Sequence, residues 1–325
     1  MKLVKTFAKV GVSLALIWIV LRAFDVRGVF QHLLQVDAGT MALVLVCALC
    51  VVPLHTLRWM IAIEASGNRV SFKTALQIVF IGHFFNQTLP SSVGGDAVRI
   101  WCAYRAGLGA GDAARTVILD RAISLLGLLL MAGAGLPWLF DIVTDQAARL
   151  AIVAVIAAGI CGFLIFVALP QLPPSLLRWR ITRALVELAI LARRLTFAPR
   201  YMMPILALAV AGFVIFVFIV YWLAAALHLG VRFTDCLLLV PPVLLISVIP
   251  VSIAGWGVRE GAMVVAFGFI NAPPSAAFAV SVLFGLVIAA ASLPGAPLWL
   301  TSGYTAKSLK EAAALVNSDA GASTP

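Results

Sequence analysis

The sequence predicts an all-α polytopic membrane protein of about six full transmembrane helices plus two re-entrant broken-helix hairpins, arranged as an inverted repeat. Three observations predict it. Of the 325 residues, 63% are hydrophobic and 11% charged, against about 45–50% and about 25% in a soluble domain. Only a bilayer covers that much apolar surface. Several runs also reach the roughly 20 apolar residues that a span requires. Finally, two further apolar runs are broken midway by the same short motif.

The first element is N-terminal. Lys2, Lys5 and Lys9 precede the apolar run Val10 to Leu21, which has the shape of a signal peptide. No small-residue cleavage site follows, so the run is expected to stay as a short first span, extended by snorkelling of Lys9 and Arg22. The next spans are Ala38 to Leu57, Ala122 to Phe140, Leu150 to Pro170, Met202 to about Leu227, and Ala276 to about Tyr304. Two stretches differ. Phe72 to Trp101 is interrupted by His83, Asn86, Gln87, Pro90, Gly94, Gly95 and Asp96. Cys236 to Ile270 is interrupted by Pro241, Pro242, Pro250, Gly255, Gly257, Arg259 and Glu260. Proline and glycine stop helices.

Loop charge sets the topology. The segment Asp141 to Arg149 is acidic overall, whereas Arg178 to Arg200 carries Arg178, Arg180, Arg183, Arg193, Arg194 and Arg200 against Glu187. The positive-inside rule puts the second in the cytoplasm and the first outside. This works only if each broken stretch returns to the side it entered from. Both termini are then cytoplasmic, in a bacterial-type inner (plasma) membrane, with Arg22 and Arg27 as the misfits. Residues from about 175 to 198 space leucines at helical intervals between arginines, as in an amphipathic helix on an anionic leaflet. The tail 307–325 is polar. The formal charge of +10 lies in short segments between apolar runs. It therefore marks topology and anionic lipid contact, not nucleic acid.

The broken stretches match each other. Pro90-Ser-Ser-Val-Gly-Gly-Asp-Ala-Val-Arg99 and Pro250-Val-Ser-Ile-Ala-Gly-Trp-Gly-Val-Arg259 share Pro, Ser, Gly, Val and Arg at the same offsets. The repeat halves are residues 38–170 and 201–304, within one membrane domain over 1–306. An odd number of crossings separates the two hairpins, so the halves are inverted, as in many secondary transporters. Irregular backbone at membrane depth is tolerated where protein or a wet cavity covers it.

Each motif has the physics of an anion site. Asp96 can cap a helix beginning at Ala97, and a helix N-terminus presents free N–H groups to phosphate. Glycine admits close backbone approach, and arginine pairs with phosphate through two bonds. Arg99 reads either as such a contact or as a topology charge. Glu260 either neutralises Arg259 or meets a cationic headgroup. Asp120 and Arg121, at the start of a span, are either a structural ion pair or part of the site. His83, with His55 and His228, reads first as a core histidine and second as a proton relay. The cysteines Cys47, Cys50, Cys102, Cys161 and Cys236 read as small apolar helix residues. No P-loop, metal-ligand cluster or nucleophile–base arrangement is expected, hence no cofactor and no metal.

Asn86 to Arg99, Leu119-Asp-Arg121, and Pro250 to Gly261 resemble the three signature segments of the lysylphosphatidylglycerol synthase transmembrane (flippase-like) family. The similarity runs over roughly residues 5 to 305. The resemblance implies a membrane domain with re-entrant segments that, where fused to a synthase, moves aminoacylated phosphatidylglycerol between leaflets. The matching positions are Asn86, Pro90, Gly94, Gly95 and Arg99, then Asp120 and Arg121, then Pro250, Gly255, Gly257, Arg259 and Glu260. The sequence ends soon after Tyr304, so a stand-alone domain without the transferase is expected. The leading expectation is a translocase for a polar-headgroup lipid, held between the two motifs by Arg99 and Arg259 with Asn86, Asp96, Asp120, Arg121 and Glu260 around it. The alternatives are a membrane glycolipid or lipid-phosphate transferase and a non-catalytic scaffold. The expected partners are membrane lipids, anionic phospholipid or glycolipid, and a separately encoded lipid-modifying enzyme; a homo-oligomer is compatible with the sequence.

Overall fold

The computed structural model describes residues 36–89, 94–171, 180–248 and 256–302. All regular structure among them is helical. The expected first span at Val10 to Leu21, the tail 307–325, Pro90, Pro250 and Gly255 lie outside the described residues.

Helix α1 runs Ala38–Ala65, 28 residues or about 42 Å at 1.5 Å per residue, longer than the ~30 Å hydrocarbon core. Asp37 caps it, accepting a bond of 3.0 Å from the Thr40 amide. Helices α2 (Phe72–Thr88) and α3 (Gly94–Arg105) follow; at 17 and 12 residues each is shorter than the roughly 20 residues of a typical span. They pack along each other as a hairpin. The long helix α4 (Ala110–Ala134) ends at Gly135 and leads into the short α5 (Leu136–Ile142). Helix α6 is Gln146–Ala168 and α7 is Arg180–Thr196.

The same order then recurs. Helix α8 (Pro199–Ala226) is again 28 residues. Helices α9 (Phe233–Val248) and α10 (Val258–Gly268) form a second hairpin. Helix α11 (Pro274–Ser292) is followed by the short α12 (Gly295–Thr301). Adding 161 turns residues 38 and 65, the bounds of α1, into 199 and 226, the bounds of α8. Packing obeys the same exchange. Helices α1 and α8 lie against each other at the centre. Helix α1 touches α4 and α11; α8 touches α11 and α4. Helix α2 meets α11 and α12; α9 meets α4 and α5.

Among the described residues, five helical runs are long and apolar enough to cross a membrane: Ala38–Ala65, Ala110–Ala134, Gln146–Gln171, Pro199–Ala226 and Pro274–Thr301. These are the five expected spans within the described residues, with shifted ends. The largest shift is in α4, which begins at Ala110 instead of Ala122. Asp120 and Arg121 therefore sit mid-helix and not at its start. An apolar window excludes them, but the helix carries them because both are paired in space, as described below. The breaks are also narrower than expected. His83, Asn86 and Gln87 are helical, and α2 ends only at Thr88. Pro241 and Pro242 sit inside α9, where neighbouring helices compensate the lost backbone bonds.

Helix α7 turns Leu188, Leu191, Ala192 and Leu195 into the bundle, against Ala62 and Ala65 of α1, Leu119 and Ile123 of α4, and Ile205 of α8. Its apolar face thus meets protein, while Arg194 remains exposed. A polar chain fixes it: Arg115 donates to Glu187 at 2.9 Å and to Asp112 at 2.7 Å, and Asn68 donates to Asp112 at 3.0 Å.

The first hairpin closes on glycine. A Cβ on Gly95 would overlap the Gly82 carbonyl oxygen and the Asn86 side chain. Gly95→Ala should therefore destabilise the protein by about 1–3 kcal/mol or more, the scale of overpacking. Gly162→Ala, where a Cβ meets nothing within 4 Å, should leave the thermal midpoint in detergent near that of the wild type. Equal midpoints for the two variants would refute the close crossing.

Candidate functional site

Asp120 is fully buried in the middle of α4. Two arginines from two other helices converge on it. Arg58 of α1 donates Nε–H to Oδ1 at 2.7 Å. Arg99 of α3 donates through Nη1 and Nη2 to Oδ2, each at 3.2 Å. Both arginines are at most 5% exposed. A charge inside a membrane helix costs roughly 2.5–3.5 kcal/mol on insertion scales, which pairing and hydrogen bonding offset. Arg58 also donates Nη1–H to Ser124 at 3.0 Å, one turn along α4 from Asp120. The Arg99 guanidinium lies 4.8 Å from the Trp59 ring, a cation–π contact. Its stem passes over Gly82, where any Cβ would collide with it.

A second carboxylate completes the cluster. Asp96 is buried in the first turn of α3, with Oδ1 3.7 Å from Arg99 Nη1. Its other oxygen takes an ion pair from Arg121 Nε. Thus Asp120 and Arg121, neighbours in sequence, do not pair with each other; each turns to a different helix. Asn86 of α2 accepts the Gly95 amide proton at 3.0 Å, so the first arm of the hairpin caps the second.

These side chains line a cavity of about 540 Å³, within the 300–1,000 Å³ range of small-molecule sites. Arg58, Arg99, Arg121, Asp96, Asp120 and Asn86 all form its wall, joined by His55, His83, Gln87, Ser124, Phe213 and Ser247. Three guanidinium groups face two carboxylates. Arg58 Nη2 and Arg99 Nε are buried without a hydrogen-bond acceptor, and such N–H groups carry a desolvation cost until they are met. Asn86 and Gln87 stand just before the first break, Ser247 and Val248 just before the second, so the approach to each break contributes to the same wall.

Arg259 and Glu260 of the second motif lie elsewhere. Arg259 donates Nη2–H to Glu260 Oε1 at 2.6 Å and Nε–H to Ser281 of α11 at 3.2 Å. The other oxygen of Glu260 accepts the Gly257 amide proton at 2.5 Å. Gly257 has φ +87°, the left-handed region that glycine enters without penalty. The Arg259 guanidinium packs 4.9 Å from Trp256 and 5.5 Å from Phe284, and Gly285 leaves it room. This is a locally neutral cap for α10. Neither residue lines the charged cavity. Gly94 begins α3 and Gly95 forms the close crossing.

Arg58, Ser124, Phe213 and Ser247 line the cavity but are not legible from the sequence, and His55 reads there first as a core histidine. Arg58 follows directly on the apolar run ending at Leu57 and so looks like a boundary charge. The available signal was spacing: His55 and Arg58 are one helical turn apart and share a face.

The fold and this buried ionic cavity define an α-helical, multi-pass membrane protein with a polar chamber between broken helices. The chain matches the family described as Lysylphosphatidylglycerol synthase TM region over residues 6–295; it belongs to that family. Comparison with curated protein sequences returned no significant match.

Removing Asp120 leaves two buried cations unpaired. Asp120→Ala should therefore cost about 3–5 kcal/mol. Adding Arg58→Met to that variant should restore part of the loss, because one stranded charge is gone. Detergent unfolding of both single variants and the double measures the coupling. Strictly additive effects would show that Arg58 and Asp120 do not depend on each other.

Proposed function

We propose that this protein is a lipid translocase, which admits the polar headgroup of a membrane lipid to the cavity that α1, α2, α3 and α4 line with α8 and α9. The observation that carries the reading is the excess of guanidinium over carboxylate in that cavity. A phosphate group on Arg58 and Arg99 would accept paired bonds in the geometry arginine favours. Membership of a lipid-related membrane family agrees with this. The substrate class is an anionic phospholipid or glycolipid.

The exchange symmetry of the packing supports two repeat halves, and loop charge supports their inversion, with both termini cytoplasmic in a bacterial-type inner membrane. Rocking of the halves about the central α1–α8 contact would open the cavity to one leaflet and then the other. A transferase would need a general base, and Asp96 and Asp120 are the carboxylates of the cavity. Both are engaged by arginines, which favours translocation over bond-making. A separately encoded lipid-modifying enzyme would supply or consume the lipid.

The test is transfer of fluorescent phospholipids in proteoliposomes, read by dithionite bleaching. Arg99→Lys keeps a charge for Asp120 but loses the planar fork. A charged hydrogen bond contributes about 1.5–3 kcal/mol, so transfer should slow by roughly tenfold to a hundredfold. Wild-type rates in Arg99→Lys would remove Arg99 from the headgroup site.

A further inference from the structure

The wall of the charged cavity holds two imidazoles in direct contact. His55 of α1 and His83 of α2 meet through Nδ1 and Nε2 at 2.9 Å, with ring centroids 5.0 Å apart. The bond joins the central helix to the first arm of the hairpin. Both rings also border smaller spaces on the far side. His55 lines a slot with Leu208, Gly212 and Phe216, and His83 lines one with Phe216, Ile288 and Ser292. The pair therefore stands between the charged chamber and the contacts that join the two halves.

The charged groups around it come from three helices of that wall: Arg58 on α1, Asp96 and Arg99 on α3, Asp120 and Arg121 on α4; α2 adds Asn86 and Gln87, neither of them charged. The walls from α8, α9 and α11 offer Phe213, Phe216, Ser247 and Ser292, none of them charged. The guanidinium groups oppose a further positive charge on the rings, and an anion held by Arg58 and Arg99 offsets that opposition.

We propose that His55 and His83 together carry one proton with each anionic headgroup, making the cavity a site of proton–anion co-transport. The inference rests on the headgroup site proposed above. The balance is simple. In the neutral pair one ring donates its N–H to the lone pair of the other, and the donor ring keeps a second nitrogen with a free lone pair. A proton from water enters there and gives an imidazolium–imidazole pair with the 2.9 Å bond intact. A second proton would set two N–H groups against each other, so the pair takes one. By linkage, the anion and the proton each strengthen binding of the other by the same factor. Anion affinity is then highest while the pair is protonated. It falls as pH rises through the titration of the pair, by up to about tenfold per pH unit for one linked proton.

Calorimetric titration of the purified full-length protein with dihexanoyl phosphatidylglycerol tests this. It is run at pH 5.5, 6.5 and 7.5, in two buffers of different ionisation enthalpy at each pH. The expected result is net proton uptake, approaching one per lipid bound at one of these values, and a Kd that rises with pH. The double variant His55→Gln/His83→Gln should show zero protons per lipid bound, whatever its affinity. The single variants His55→Gln and His83→Gln, each of which breaks the ring-to-ring bond, must shift the pH of half-maximal uptake; they carry the test if the double variant does not fold. Binding without proton uptake at any pH, or uptake unaltered in the variants, overturns the coupling and leaves the headgroup site standing. No binding at all overturns the headgroup site and the coupling with it.

Discussion

A single carboxylate organises this protein. Asp120 lies in the middle of a membrane-length helix and accepts bonds from Arg58 and Arg99, so it ties α1, α3 and α4 at one point. None of the three charges is tolerable alone at that depth. Together they hold the second arm of the first hairpin against two long helices, which an apolar contact could do without fixing register. The position of that arm in turn sets Gly95 against Gly82 and Asn86, and so fixes where the chain turns back. The cavity is the space left beside this junction.

The second half is built to the same plan with different chemistry. Shifting by 161 places Ile219 where α1 has Arg58, Phe216 where it has His55, and Ser281 where α4 has Asp120. The second hairpin keeps an arginine, Arg259, but no carboxylate awaits it on the following helix. Glu260 next to it supplies the counter-charge, and Ser281 accepts one hydrogen bond. The pattern of helix contacts recurs in the second series of helices, while the buried charge of the cavity does not. One half carries the polar chamber, and the other presents an aromatic and hydroxyl wall through Phe213, Phe216 and Ser247.

Composition and run length reveal the spans because a bilayer demands long apolar segments, and α1, α6 and α8 have them without interruption. The two hairpins are legible because proline and glycine interrupt apolar runs at matched positions. Their true ends are not, because His83, Asn86 and Gln87 are compatible with helix once other helices satisfy them. The start of α4 was misplaced for the same reason: window hydropathy counts Asp120 and Arg121 as costs, but pairing in space cancels part of them. Of the site, Asn86, Asp96, Arg99, Asp120 and Arg121 were legible and fall together in one cavity. Arg58 was not, because its partner is 62 residues away and nothing local marks the pairing. The local neutrality of Arg259 was visible in the adjacent Glu260, whose backbone role depends on the left-handed turn at Gly257.

A cluster that served stability alone would gain from being dry and complete, since each unmet buried N–H and each hydrated charge weakens it. This one is neither. Arg121 is 43% exposed at the side chain while its partner Asp96 is 7% exposed. Arg58 and Arg99 each retain an N–H without an acceptor, and the junction opens on about 540 Å³ of space. The second hairpin shows what the complete alternative looks like: arginine, glutamate, serine and a backbone amide close on one another beside two aromatic rings. Both solutions occur in one chain, on the same helix plan. The incomplete one therefore reflects a demand that the plan itself does not impose, and an anion that arrives and leaves is a demand of that kind.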